Sequence, residues 1–173
     1  RLLHWQSPDR VWNYDKNPDA HHSSFMESIL PLRALVLEAR TYDHRAAREA
    51  AGRAAEIFLK QHLYLRQADD TPIRRKFTLL HYPLYWYYDF LYGLKVMAEC
   101  SYISNERCHP ALDRLVDERL PGGGWPAEKR YHKHELEPKH GNDYLDWGGA
   151  GKRRMNTWAS ADALYVLRTA TIA

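Results

Sequence analysis

Apolar positions at helical spacing divide most of the chain into amphipathic segments. Between residues 45 and 62, alanines and larger apolar residues recur three or four positions apart, and charged pairs such as Glu49 with Arg53 occupy the other side. This period is typical of an α-helix with one buried face. Applied along the chain, it predicts five main helices, at about residues 24–39, 45–62, 83–99, 110–120 and 157–169. The protein is therefore predicted to be all-α.

Proline and glycine mark the expected ends of these helices. Pro31 lies inside the first predicted helix and should kink or divide it. Pro83 is expected in the first turn of the third, where its missing N–H does no harm, and Pro121 with the three glycines after it stops the fourth. Turn-forming and polar sequence predicts an irregular segment over residues 1–20 and an insertion loop over residues 126–155.

Three of the predicted helices are similar to one another. Matching apolar strings occur at residues 34–37, 93–96 and 163–166, and the second and fourth helices match as basic amphipathic partners. A helix–loop–helix unit of this kind cannot bury its apolar face alone, so neighbouring units stack. We expect one domain over residues 1–173, built from stacked helical hairpins. A four-helix bundle is the alternative.

Several strings resemble a known superfamily. The stretch LVDERLPGGGW at residues 115–125 is similar to the glycine–tryptophan repeat of squalene–hopene-type cyclases, although Arg119 stands where Gln is usual. LHYPLYWYYDFLYGL from Leu80, HHSSF from His21 and GGGWP from Gly122 resemble uncharacterised bacterial proteins of the terpenoid-cyclase/protein-prenyltransferase superfamily. The resemblance implies an α/α toroid, with two concentric helix layers around a ligand cavity. A closed ring needs more than five helices, so we expect a partial toroid, an open arc or the C-terminal portion of a longer chain.

The catalytic motifs of those enzymes do not carry over. The Asp-x-Asp-Asp acid motif of cyclases does not occur, and Ala98 and Glu106 stand where an Asp-x-Cys zinc motif would need aspartate before Cys100 and Cys108. A shared fold does not transfer chemistry, so whether the chain is an enzyme stays open. Neither a cofactor nor a metal site is predicted, because the histidines and acids of residues 126–155 match no known ligand spacing.

The third predicted helix carries the leading candidate site. At 100° per residue, Tyr85, Tyr88, Asp89 and Tyr92 fall on one side. Tyrosine rings on such a face would line a cavity for an apolar or cationic ligand, and Asp89 would be a weak candidate for a general acid if burial raised its pKa. In the alternative, the tyrosines pack between helices and Asp89 caps or pairs structurally.

Basic clusters precede the third and fifth predicted helices. If the hairpins stack in parallel, these cations collect at one end, beside helix N-termini that favour anions. They would then bind the anionic head of a ligand; alternatively, they form a solvated rim that offsets nearby acids. The predicted anion-binding residues are Arg74, Arg75, Lys152, Arg153 and Arg154.

Composition narrows the function classes. A net charge of +3 without a basic stripe does not favour nucleic-acid binding. The most apolar stretch, residues 77–100, is interrupted by His81, Asp89 and Lys95, so no membrane span is predicted. Two cysteines provide no disulfide framework, and a cytoplasmic location is expected. The 12 tyrosines and 6 tryptophans fit a lined cavity or an interface.

Three functional hypotheses follow. The leading one is a toroid-like domain that binds an apolar, isoprenoid-like ligand with an anionic head in an aromatic cavity. The second is a non-catalytic helical scaffold or protein-interaction domain, with self-association or a protein partner. The third is a terpenoid cyclase-like lyase whose catalytic acid lies outside this segment.

Overall fold

The computed structural model describes residues 2–4, 6, 12, 24–131 and 146–172. Within these ranges all regular secondary structure is helical, and the only bridges between extended segments are isolated. The five helices are α1 (Phe25–Tyr42), α2 (Arg45–Lys60), α3 (Phe90–Glu99), α4 (His109–Asp117) and α5 (Thr157–Ile172). Short 3-10 turns occupy Arg75–Thr78 and Glu106–Cys108. The predicted all-α class is confirmed.

The third helix is shorter than predicted. Residues 83–89 form a loop in which Tyr85 adopts φ 53°, a left-handed conformation that an α-helix does not accommodate. Asp89 is the N-cap of α3, and its side chain accepts a hydrogen bond from the Tyr92 N–H. The prediction that the helix begins at Pro83 was therefore wrong, because a capping aspartate starts the helix seven residues later in the chain, at Phe90.

The other helix boundaries differ less. The helix α1 continues through Pro31, so the expected division at this residue does not occur. The helix α4 ends at Asp117, short of residue 120, and α5 reaches Ile172.

The helices pack in a definite order. The helix α1 packs on α2, whereas α3 contacts α5, α4 and α1. Ion pairs join the three similar helices: Arg33 of α1 holds Glu99 of α3, with Nη2 2.8 Å from Oε1, and Lys95 of α3 lies 2.7 Å from Asp162 of α5. Ion pairs therefore connect α3 both to α1 and to α5.

Small and aromatic residues form the core. Most of the predicted apolar face of α2 is buried and lets α1 approach closely; its buried residues include Ala47, Ala50, Ala51, Ala54 and Phe58. Beside Phe58, Phe25 packs edge-on at 4.7 Å between ring centroids. Tyr88 packs against Phe25 and Phe77 at 5.2 and 4.9 Å. The core therefore joins α1 and α2 to the loop that precedes α3.

The turn after α4 connects this helix to α5. Trp125 is 1% exposed, its Nε1 donates to the Leu115 carbonyl, and its backbone N–H donates to Ser160 Oγ of α5. Gly124 has φ 73°, and an added Cβ there would come within 2.8 Å of Ser160 Oγ. Pro126 and Met155 bridge each other, so both ends of the predicted insertion lie together.

Candidate functional site

The loop before α3 is held against the start of the insertion. The backbone N–H groups of Glu128 and Lys129 donate to the Leu80 carbonyl, and the Leu80 N–H donates to the Glu128 carboxylate at 3.0 Å. His81 forms a parallel bridge with Lys129. This pairing brings Tyr131, the last described residue before the gap, next to the loop.

Tyr88, one of the predicted ligand-binding residues, lies in the core. It is 0% exposed, and its hydroxyl donates a 2.7 Å hydrogen bond to the Leu63 carbonyl. Burial raises the pKa of Tyr88 well above its ordinary value. These contacts agree with the structural alternative, in which the tyrosine packs between elements.

Asp89 makes structural contacts with both carboxylate oxygens. Oδ1 accepts from the Tyr92 N–H and Oδ2 from the His81 N–H, each at 2.9 Å. The His81 Nδ1 atom lies 3.4 Å from the same Oδ2, and both residues are buried. These bonds assign Asp89 the role of a helix cap that also anchors the loop; a role as general acid stays a prediction.

Tyr85 and Tyr92 lie in two further environments. Tyr85 is 55% exposed on the loop. Tyr92 is half-buried on α3, where its hydroxyl accepts from Arg33 Nη1 at 3.3 Å. The prediction that Tyr85, Tyr88, Asp89 and Tyr92 share one helical face was wrong, because only Tyr92 lies within α3.

A column of rings that the sequence analysis missed lies beside Asp89. Tyr131 stacks on His81 at 4.4 Å and on Tyr87 at 3.7 Å, with interplanar angles of 15° and 14°. We call His81, Tyr131 and Tyr87 the His81 stack. The pKa of Tyr131 is raised to about 12, mainly by burial and to a smaller extent by the negative charge of Asp89. In the sequence, the one signal for this arrangement was the aromatic residue Tyr131 within the polar insertion.

A cation and an exposed indole both lie near the His81 stack. Lys76 Nζ lies 5.9 Å from the Tyr131 ring centroid, within reach of a cation–π interaction. Trp86 is 67% exposed and its ring lies 5.6 Å from that of Tyr87. The arrangement combines a flat aromatic surface with a positive charge at its edge.

A second aromatic group, the Tyr82 cluster, consists of Tyr82, Trp147 and Trp158. Tyr82 stacks on Trp158 at 5.8 Å, and Trp147 lies 5.6 Å from each. Trp158 is 44% exposed. Burial and the nearby Asp162 carboxylate raise the pKa of Tyr82. Because Tyr82 follows His81 in the chain, the two ring groups flank the same loop.

The predicted basic residues are exposed, and Lys152 lies close enough to Glu118 to affect the pKa of this carboxyl group. Arg114 donates hydrogen bonds both to the Thr78 carbonyl, which follows the basic cluster Arg74–Lys76 by two residues in the chain, and to Glu118. Burial and Glu128 raise the pKa of Glu118, while Arg114 and Lys152 oppose this shift. The first cluster does not directly precede α3, which starts at Phe90. The exposed predicted residues are Arg74, Arg75, Lys152, Arg153 and Arg154.

Other potential ligands are limited within the described residues. No group of three histidine, cysteine or acidic side chains in these ranges could hold a metal ion. Most of the histidine- and acid-rich part of the insertion, residues 132–145, lies outside them. Cys100 and Cys108 are free and buried, and burial raises the pKa of each thiol to about 12. No described helix is both long and apolar enough to cross a membrane.

Comparison of the chain with family models, curated proteins and solved structures finds no match. The resemblance to terpenoid-cyclase-type toroids therefore stays a prediction.

Proposed function

We propose that this protein is a toroid-type helical domain that binds a small apolar molecule with an anionic head, of the isoprenoid diphosphate type, at the His81 stack. The observation that carries the proposal is that the Lys76 ammonium lies 5.9 Å from the Tyr131 ring centroid, while the exposed Trp86 ring lies 5.6 Å from the ring of Tyr87 in the same stack. In this proposal the apolar tail lies on Trp86 and Tyr87, and the head contacts Lys76 and Arg75.

Aromatic rings and cations suit the two ends of such a ligand. A large exposed indole loses unfavourable contact with water when an apolar chain covers it. A lysine ammonium provides three donors to phosphate oxygens, and Arg75 lies next to it in the chain. The linkage of α1, α3 and α5 supports an arc of hairpins. Catalysis is not included, since backbone N–H groups occupy both oxygens of Asp89.

Binding of farnesyl diphosphate, measured by calorimetry, tests the proposal. Trp86→Ala and Lys76→Gln should each weaken binding by about tenfold, whereas Tyr165→Ala and Lys60→Gln, at exposed positions elsewhere, should leave it unchanged. Farnesol and inorganic diphosphate separate the two ends: each alone should bind more weakly than the intact ligand. Equal affinity of the Trp86→Ala variant and the parent would exclude this site.

A protein-interaction scaffold is the second candidate. Leu30 and Leu37 on α1 are 45% and 67% exposed, and Leu164 and Tyr165 on α5 are 58% and 42% exposed. Large exposed apolar side chains are common at interfaces. Size-exclusion chromatography with light scattering tests self-association. A dimer that Leu164→Glu converts to a monomer would support this function, and a strict monomer would count against self-association.

A further inference from the structure

A groove runs along α1, where it meets α2 and the C-terminal end of α3. It comprises two adjoining cavities of about 320 and 470 Å³. Val36, Arg40 and Cys100 line both, so Arg40 stands at the junction. The volumes are within the range of small-molecule sites. The groove shares no lining residue with the His81 stack or the Tyr82 cluster.

Apolar side chains provide most of the surface of the groove, and charged side chains complete its lining. Leu37, 67% exposed, lines the smaller cavity. Tyr102 also lines the larger one. The remaining apolar lining consists of small side chains, which leave space between the helices: Ala34, Val36, Ala39 and Ala51. The groove can therefore hold a narrow apolar body.

The three arginines of the groove differ in their partners. The carboxylate of Glu99 compensates Arg33, and that of Asp43 compensates Arg48. Arg40 Nη2 donates a 3.0 Å hydrogen bond to the neutral hydroxyl of Ser101, and no carboxylate among the described residues lies within ion-pair distance of it. A guanidinium has five N–H donors, so Arg40 retains capacity for a bidentate anion.

We propose that this groove binds a small apolar molecule with a single carboxylate, such as a medium-chain fatty acid. The carboxylate pairs with the Arg40 guanidinium and accepts from the Ser101 hydroxyl. The apolar chain lies along Val36 and Leu37. A guanidinium that pairs with no carboxylate of the described residues, at the junction of two largely apolar cavities, selects a monoanion over a cation or a neutral ester. This site is independent of the one proposed at the His81 stack.

Calorimetry with octanoate tests the proposal on the whole chain. Octanoate should bind the parent protein, while methyl octanoate and octylamine should bind at least about tenfold more weakly. Arg40→Gln should weaken octanoate binding at least about tenfold. The matched control is Arg168→Gln, an exposed arginine on α5 that does not line the groove, and it should bind octanoate like the parent.

A second variant tests the same site in case Arg40→Gln impairs folding. Leu37→Glu is at an exposed position and places a negative charge on the wall, so it should also weaken octanoate binding by repulsion. Neither variant should change affinity for farnesyl diphosphate at the His81 stack by more than about twofold. The proposal is overturned if octanoate does not bind the parent, or if Arg40→Gln binds it as tightly.

Discussion

The indole Nε1 of Trp125 donates a 2.6 Å hydrogen bond to the carbonyl oxygen of Leu115, and so holds the glycine-rich turn against the helix it follows. Both groups are buried. Replacing Trp125 by Phe removes the donor and leaves a buried carbonyl without its partner, which should lower the free energy of unfolding by about 1–3 kcal/mol. Urea unfolding followed by circular dichroism measures this change.

The control for this variant is Trp86→Phe, because Trp86 is 67% exposed. It should change the free energy of unfolding by less than about 0.5 kcal/mol. If the two variants are equally stable, the indole of Trp125 does not hold the turn.

Asp89 should contribute to stability through its two backbone hydrogen bonds. Asp89→Ala removes the cap of α3 and the acceptor for the buried His81 N–H, so we expect a loss of about 2–4 kcal/mol. Asp89→Asn keeps one acceptor oxygen and should cost less. Thermal and urea unfolding provide the measurement, and Asp113→Ala, an exposed aspartate on α4, is the control. A fully stable Asp89→Ala variant would contradict the structural role and reopen a catalytic one.

Gly93 marks a close approach between α3 and Tyr88. A Cβ at this position would clash with Tyr88 Oη and come within 3.0 Å of Cζ. Gly93→Ala should therefore destabilise the protein by about 1–3 kcal/mol, despite the better helix propensity of alanine. Gly52, inside α2, offers the opposite case, since a Cβ there would lie at 3.4 Å from Tyr102 Oη. Gly52→Ala should be neutral or stabilising.

A double-mutant cycle tests whether the clash with Tyr88 causes the destabilisation by Gly93→Ala. In a Tyr88→Phe background the clashing hydroxyl is gone, so Gly93→Ala should cost less than it does in the parent. Equal costs in the two backgrounds would show that the clash with Tyr88 is not the reason.

Because Cys100 and Cys108 are buried, we expect the free energy of unfolding to fall at alkaline pH. Their pKa is about 12 in the folded protein, compared with an ordinary value of 9.0. As pH rises above about 9, the unfolded chain loses thiol protons that the folded chain retains, so unfolding becomes more favourable; below that pH both states are protonated and the effect vanishes. Unfolding free energies at pH 8 and pH 10 measure the decline.

The comparison for this prediction is a Cys100→Ala, Cys108→Ala double variant. It retains the tyrosines, which also contribute above pH 10, but should decline less steeply between the two pH values. Identical slopes would rule out a contribution from the thiols.

The third helix shows where the helical period misled the sequence analysis. Tyrosines and apolar residues between Pro83 and Asp89 continue the period of α3, yet they belong to a loop whose side chains enter three environments. An aspartate directly before the apolar run of Phe90 is an N-cap signal that could have located the true start. Residues at helical spacing share one face only if the segment forms a helix. The predicted cavity assumed that residues 83–89 are helical.

Local sequence chemistry alone determined the all-helical class and the two most regular helices of this protein. The alanine face of α2 and the start of α5 at Thr157 follow from the spacing of residues that are close in the sequence. Only the tertiary structure decided the candidate sites. Tyr131 reaches His81, and Arg40 reaches Ser101, across long stretches of chain, because packing of α1, α3 and the insertion brings them together. Such contacts depend on how whole elements bury their apolar surfaces against one another, and no local pattern encodes that arrangement.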